Sequence, residues 1–183
     1  MDDGTKIRPE AAAHRRAGRS RGVKGRLTVG ELARRVLPNA TEEELAPVVR
    51  QLRHWTVSRV LPNFGPDEIM IGSGRHRGYF EESVPFVAVA VELGRWRLSM
   101  ETLFCALIAL NPLRDEPLWQ QAIDGQKDIL LVMHLYRSRQ MDIPIIIPQL
   151  THKSELSKIS DPPDGMYLTT MIISLSKLFA RLR

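Results

Sequence analysis

The chain has 183 residues, 43% hydrophobic and 26% charged, with a net charge of +5; this is the balance of an ordinary globular protein, long enough for one domain or two small ones. No apolar run approaches the ~20 residues that span a bilayer, and the longest clean one, Val84–Val91, is closed by Glu92. A single cysteine excludes an internal disulfide framework and, with a charged N-terminus that leads into no apolar leader segment, predicts a cytoplasmic protein with no membrane partner.

The charge surplus is local. Residues 1–26 carry eight Lys/Arg against three Asp/Glu, 27–112 carry nine against ten, and 113–183 carry nine against eight. The stretch RPEAAAHRRAGRSRGVKGR has almost nothing apolar to bury and cannot offset the entropy of ordering it. It reads as a disordered basic arm, either drawn to phosphates or simply solvated.

Helical periodicity begins after the arm. Thr28 and Glu31 make a Thr-x-x-Glu capping box ahead of VGELARRV, whose apolar face is Val29, Leu32, Ala33 and Val36 and which stops before Pro38. A second box, Thr41 and Glu44, opens a longer helix with Leu45, Val48, Val49, Leu52, Trp55 and Val60 as its stripe. Pro47 lies too deep to be a first-turn proline and predicts a kink or a restart. Arg50, Arg53, His54 and Arg59 fall off the stripe, and Pro62 with the NFGP turn ends the helix.

EIMI and GYF then read as two strands of a hairpin joined by GSGRHR, with Tyr79 and Phe80 on opposite faces. Glu81 and Glu82 open a third helix, which buries Val84, Val87, Ala88, Val91 and Leu93 and stops at Gly94. Ser99 caps a fourth, carrying Leu103, Phe104, Leu107 and Leu110 and closed by Asn111-Pro112. Beyond it lie a short helix over 117–125, two strands in DILLVMHLY and DIPIIIP, a short helix in THKSELSKI, a turn in SDPPDG, and a final strand followed by a helix. Pro144 and Pro148 put their strand at a sheet edge or out of the sheet.

Helix, helix with a basic face, hairpin, helix is the order of a winged helix-turn-helix. Its recognition helix fits the major groove, and its wing meets the backbone or the minor groove. LTVGELARR, RQLRHWTVSRVLP, YFEESV and ELGRWRLSMETL occur in the order found in MerR-type transcriptional regulators, and residues 27–110 resemble that family's DNA-binding domain. The resemblance implies that Arg53, with His54 and Trp55, lies in the DNA-docking segment and that Arg77 is the wing arginine, with Arg75 and His76 beside it. The chain departs from the family in a longer stretch before RQLRHW, in Arg75 at the wing-glycine position, and in Pro112, Pro117 and Gly125, which leave little room for a long dimerisation helix.

The expected fold is therefore mainly α with small β. It comprises a disordered arm over 1–26, a winged helix-turn-helix over 27–112 and a small α/β dimerisation or effector domain over 113–183. The candidate DNA contacts are Arg34, Arg35, Arg50, Arg53, His54, Arg59, Arg75, His76, Arg77 and Tyr79. The first two either steady the backbone or merely cover their helix, and Arg50, Arg53 and Arg59 are otherwise an ordinary solvated face. Trp55 and Cys105 are expected in the core.

The five histidines show no metal-ligand spacing, and no phosphate loop, nucleophile elbow or acid–base pair occurs, so neither catalysis nor a cofactor is expected. The leading expectation is a sequence-specific regulator that binds double-stranded DNA as a homodimer at the bacterial nucleoid, with its effector unassigned. An excisionase-like or plasmid-maintenance architectural factor is one alternative. A protein-interaction module such as an anti-activator is another, kept open by the near-neutral charge of 27–112.

Overall fold

The computed structural model describes residues 26–61, 78–137, 144–159 and 167–183. Helix α1 spans Val29–Val36 and α2 spans Glu42–Val57, each opened by the capping box its sequence predicts. Thr28 accepts from the Glu31 amide at 3.2 Å while Glu31 accepts from the Thr28 amide at 2.6 Å; Thr41 and Glu44 repeat the exchange at 3.3 and 2.8 Å. These reciprocal bonds satisfy orphan amides of the first turn.

Helix α2 does not restart at Pro47; it runs through the proline without a break. Pro47 removes only the bond to the Glu43 carbonyl, and it does so on the exposed side of the helix, where water can donate to that carbonyl in place of the missing amide. Leu45, Leu52 and Trp55 are buried, and Val48 and Val49 half-buried. The helix ends in a Schellman turn: the Val60 amide donates to the Trp55 carbonyl at 2.8 Å and the Arg59 amide to that of Thr56 at 3.4 Å. Arg59 occupies the left-handed position with φ 55°, where glycine is the usual residue.

Strands β1 (Arg26–Leu27) and β2 (Tyr79–Phe80) pair antiparallel, Arg26 opposite Phe80 and Leu27 opposite Tyr79. Among the described residues the GYF strand pairs with the chain just ahead of α1. EIMI, GSGRHR and NFGP lie outside the described residues. Glu81–Ser83 form a 3-10 turn, and α3 follows over Val84–Arg95. It buries Phe86, Val89 and Ala90 as well as the face expected from its sequence, because an apolar helix of this kind is enclosed on all sides.

Gly94 does not stop α3, which continues to Arg95. A Cβ at Gly94 would stand 2.8 Å from the Trp55 ring and 2.7 Å from Gln51 Nε2, so the glycine is what lets α3 lie against α2. Helix α4 covers Met100–Leu110, with the Thr102 amide donating to Ser99 Oγ at 3.1 Å. Leu103, Ala106, Leu107 and Leu110 face inward; Phe104, expected inside, is exposed because only one side of α4 meets the core.

Helix α5 (Pro117–Ile123) leads into a three-stranded antiparallel sheet of β3 (Ile129–Arg137), β4 (Pro144–His152) and β5 (Tyr167–Ser174), in the order β4-β3-β5. β4 carries both prolines and is an edge strand, where a missing amide costs no ladder bond on its outer side. THKSELSKI finishes β4 and then forms a 3-10 turn over Lys153–Lys158, and helix α6 (Leu175–Ala180) follows β5. SDPPDG lies outside the described residues. Trp119 on α5 meets Phe179 on α6 edge-on, ring centroids 5.3 Å apart.

α3 packs on α1, α4 and α6, and α4 packs on β4. Buried side chains from Leu32 to Phe179 therefore form one continuous cluster. The protein is mainly helical, with a small antiparallel sheet at its C-terminal side.

Candidate nucleic-acid interface

Helices α1 and α2 pack together across the Leu37–Thr41 connection. At 100° per residue, Leu45, Leu52 and Trp55 form one side of α2, while Arg50, Arg53, His54 and Val57 fall on the opposite side. The burial pattern follows this: all four outward residues are exposed. From Arg50 to Val57 the helix rises about 10 Å, roughly three base-pair steps of B-DNA. Arg59 emerges just past the helix end, also exposed.

The arginines divide by partner. Arg34 pairs with Glu42 at 3.0 Å and Arg35 with Glu81 at 3.4 Å, so α1 is tied to the start of α2 and to the turn after β2. Both pairs are solvent-exposed and contribute at most about 1 kcal/mol each. Arg50, Arg53, His54 and Arg59 have no ion-pair partner among the described residues. No described carboxylate engages their donors, whereas those of Arg34 and Arg35 are partly committed. The first turn of α2 has the opposite sign, with Glu42, Glu43 and Glu44 all exposed.

Tyr79, counted above among the DNA contacts, is buried at 2% exposure and is withdrawn from that set. Its hydroxyl lies 2.7 Å from Thr56 Oγ1, which itself donates to the Leu52 carbonyl at 2.6 Å. Because the threonine has one proton to give, the tyrosine is the donor to it. Tyr79 thus pins β2 to α2, at the level of the exposed arginines. Arg75, His76 and Arg77 lie outside the described residues.

Val57 went unremarked in the sequence. It is 68% exposed beside Arg53 and His54, the largest exposure among the exposed large hydrophobics of the described residues. Its one sequence signal was negative: it does not fit the stripe of Leu52 and Trp55. Trp55 is buried as expected, its ring held by Gly94.

Cys105 sits half-buried at the edge of the core rather than within it. Burial, and then the Glu101 carboxylate one turn away, push its thiol above the ordinary cysteine value, opposite to the direction that activates a nucleophile. Among the described residues no three His, Cys, Asp or Glu side chains gather as a metal site, and no helix is long and apolar enough to cross a membrane. An open groove of about 410 Å³ runs past Glu81, Glu82, Arg114, Asp115 and Trp119. Arg114 lies over the Phe86 ring at 5.3 Å. Comparison with protein-family models and with curated proteins gave no match for this chain.

Proposed function

We propose that the protein is a sequence-specific DNA-binding transcriptional regulator of MerR-like type. In this reading α1, its turn and α2 are the helix-turn-helix, and IGSGRHRGYF, residues 71–80, is the wing. A small α/β part over 113–183 serves pairing or effector response. The observation that carries the reading is the set of exposed basic side chains on and just past the outward face of α2, Arg50, Arg53, His54 and Arg59, which have no ion-pair partner among the described residues, whereas Arg34 and Arg35 are paired. α2 enters the major groove, its arginines meet phosphates or the O6/N7 edge of guanine, and Val57 is placed to touch a thymine methyl. Tyr79 holds β2, the end of the 71–80 stretch, against α2. The basic arm adds sequence-independent attraction.

A second reading, a protein-interaction module, draws on two features of the same helix: its acidic first turn and its exposed valine. Glu42–Glu44 oppose phosphate at the end of the helix that a groove-bound recognition helix commonly presents to bases.

One titration separates the two. Binding of the full chain to a pool of random duplexes, followed by selection, should enrich a defined site. Arg53→Ala should then lower the magnitude of the log K against log [salt] slope by about 1 for a phosphate contact, or lose about 1–3 kcal/mol of discrimination for a base contact. No enrichment would leave the interaction module as the reading; an Arg53→Ala titration that overlays the wild type on an enriched site would remove Arg53 from the DNA contact.

A further inference from the structure

Every second residue of β3 from Leu130 to Tyr136, of β4 from Ile145 to Thr151, and of β5 from Thr170 to Ser174 lies on one side of the sheet. This is the side away from the core: Leu130 and Val132 are buried yet stand outside the core cluster that takes in Ile129, Leu131 and Met133. The side comprises four positions on each of β3 and β4 and three on β5, and none is Asp, Glu, Lys or Arg. At the 26% charged content of the chain, about three charges would fall on a face of that size. Ile145, Ile147 and Ile172 stand 40%, 48% and 45% exposed on it. His134 Nδ1 and Thr170 Oγ1 lie 3.0 Å apart across two strands of the same face, so these polar groups are paired within it.

We infer that this outer sheet face is where a second copy of the chain docks, sheet against sheet. A two-fold contact sets a face against its own image, and any net charge would then meet like charge. A face without charged side chains meets that requirement. A face built for nucleic acid or for an acidic protein would carry cations. Three strands about 4.8 Å apart, with about eight residues each rising about 3.3 Å, make a face of roughly 14 by 26 Å. Two such faces cover on the order of 700 Å² in projection, below the ~1,200 Å² at which stable interfaces begin. The pairing is therefore weak, reversible and governed by concentration. The inference deepens the regulator reading by locating where its two copies meet, and rests on that reading only for what the pairing serves.

Sedimentation velocity of the full chain, without DNA, from about 1 to 100 μM tests it. The wild type should shift from monomer to dimer across that range. Ile147→Lys and Ile172→Lys should each raise the dissociation constant at least tenfold, with melting curves unchanged because both side chains are exposed. If a lysine variant loses its melt, Ile147→Thr and Ile172→Thr carry the test, with a rise of at least threefold. Phe104→Lys, on the exposed Met100–Phe104–Ile108 ridge of α4, should leave association as it was. A wild type that stays monomeric overturns the inference, as does a dimer that Phe104→Lys dissociates and the sheet variants do not. DNA binding is measured separately: a monomer that binds DNA removes this inference alone, and a dimer without DNA affinity removes the regulator reading alone.

Discussion

Arg59 separates stability from binding at a single residue. It holds the left-handed position of the Schellman turn that closes α2, where an L-residue with a Cβ costs about 1–2 kcal/mol relative to helical backbone. Arg59→Gly relieves that strain and adds back about 0.4–1 kcal/mol of unfolded-state entropy. The net expectation is a stabilisation of about 0.5–1 kcal/mol, or a rise in Tm of about 1–4 °C for a chain of this size. In the regulator reading the same substitution weakens DNA binding by one cation. A higher melt together with a shallower salt slope is the expected result; a lower melt would contradict the turn geometry. Tyr79 makes the complementary point. A tyrosine two residues after a basic loop reads as a contact, yet its hydroxyl is taken up by Thr56, 23 positions earlier in sequence, and nothing local to residues 78–80 shows this.

At the scale of elements, the capping boxes make a pH prediction. The Thr28 amide and hydroxyl hold the Glu31 carboxyl below its ordinary value of 4.5. A carboxylate with a depressed folded-state pKa contributes stability above its unfolded value, and that contribution is lost as pH falls through the folded value. Melts recorded downward from neutral pH should therefore show part of their acid limb below about 4.5, as the start of α1 loses its reciprocal bond. Glu31→Gln keeps the hydrogen-bonding geometry without the titration and should flatten that part of the limb. An unchanged acid limb would mean that ionisation of Glu31 contributes nothing to folding. The elements themselves were largely legible: both boxes, the Ser99 cap, the edge strand marked by prolines and the strand-to-helix change near Ser174 all lie where their local chemistry places them. No restart occurs at Pro47, and α3 ends one residue past Gly94; propensity alone decides neither. Exposure on one side of α2 and a tryptophan ring on one side of α3 decided them.

For the whole molecule, the division at residues 112 and 113 that composition suggests crosses a shared core. α3 packs on α6 and α4 on β4, so the helical and sheet-bearing parts bury each other's apolar faces. We predict a single calorimetric transition, with equal calorimetric and van't Hoff enthalpies, for the body beyond the arm; two resolved transitions would show that the parts fold independently.

The candidate interface was half legible. Its arginines followed from the helical period, since a residue off the apolar stripe is on the outside whatever lies inside. That Arg34 and Arg35 are paired, while Arg50, Arg53 and Arg59 have no partner among the described residues, depends on where Glu42 and Glu81 come to rest. By itself, the sequence determined what spans a turn or two of chain: caps, periods, edge prolines and a basic arm with nothing to bury. Tertiary structure decided what spans the molecule: the Tyr79–Thr56 bond, the enclosure of α3, the glycine against Trp55 and the uncharged outer face of the sheet. The reason is physical. Local signals are set by backbone sterics and hydrogen bonds within a few residues, whereas burial, ion pairing and exposure are properties of neighbours that only packing brings together.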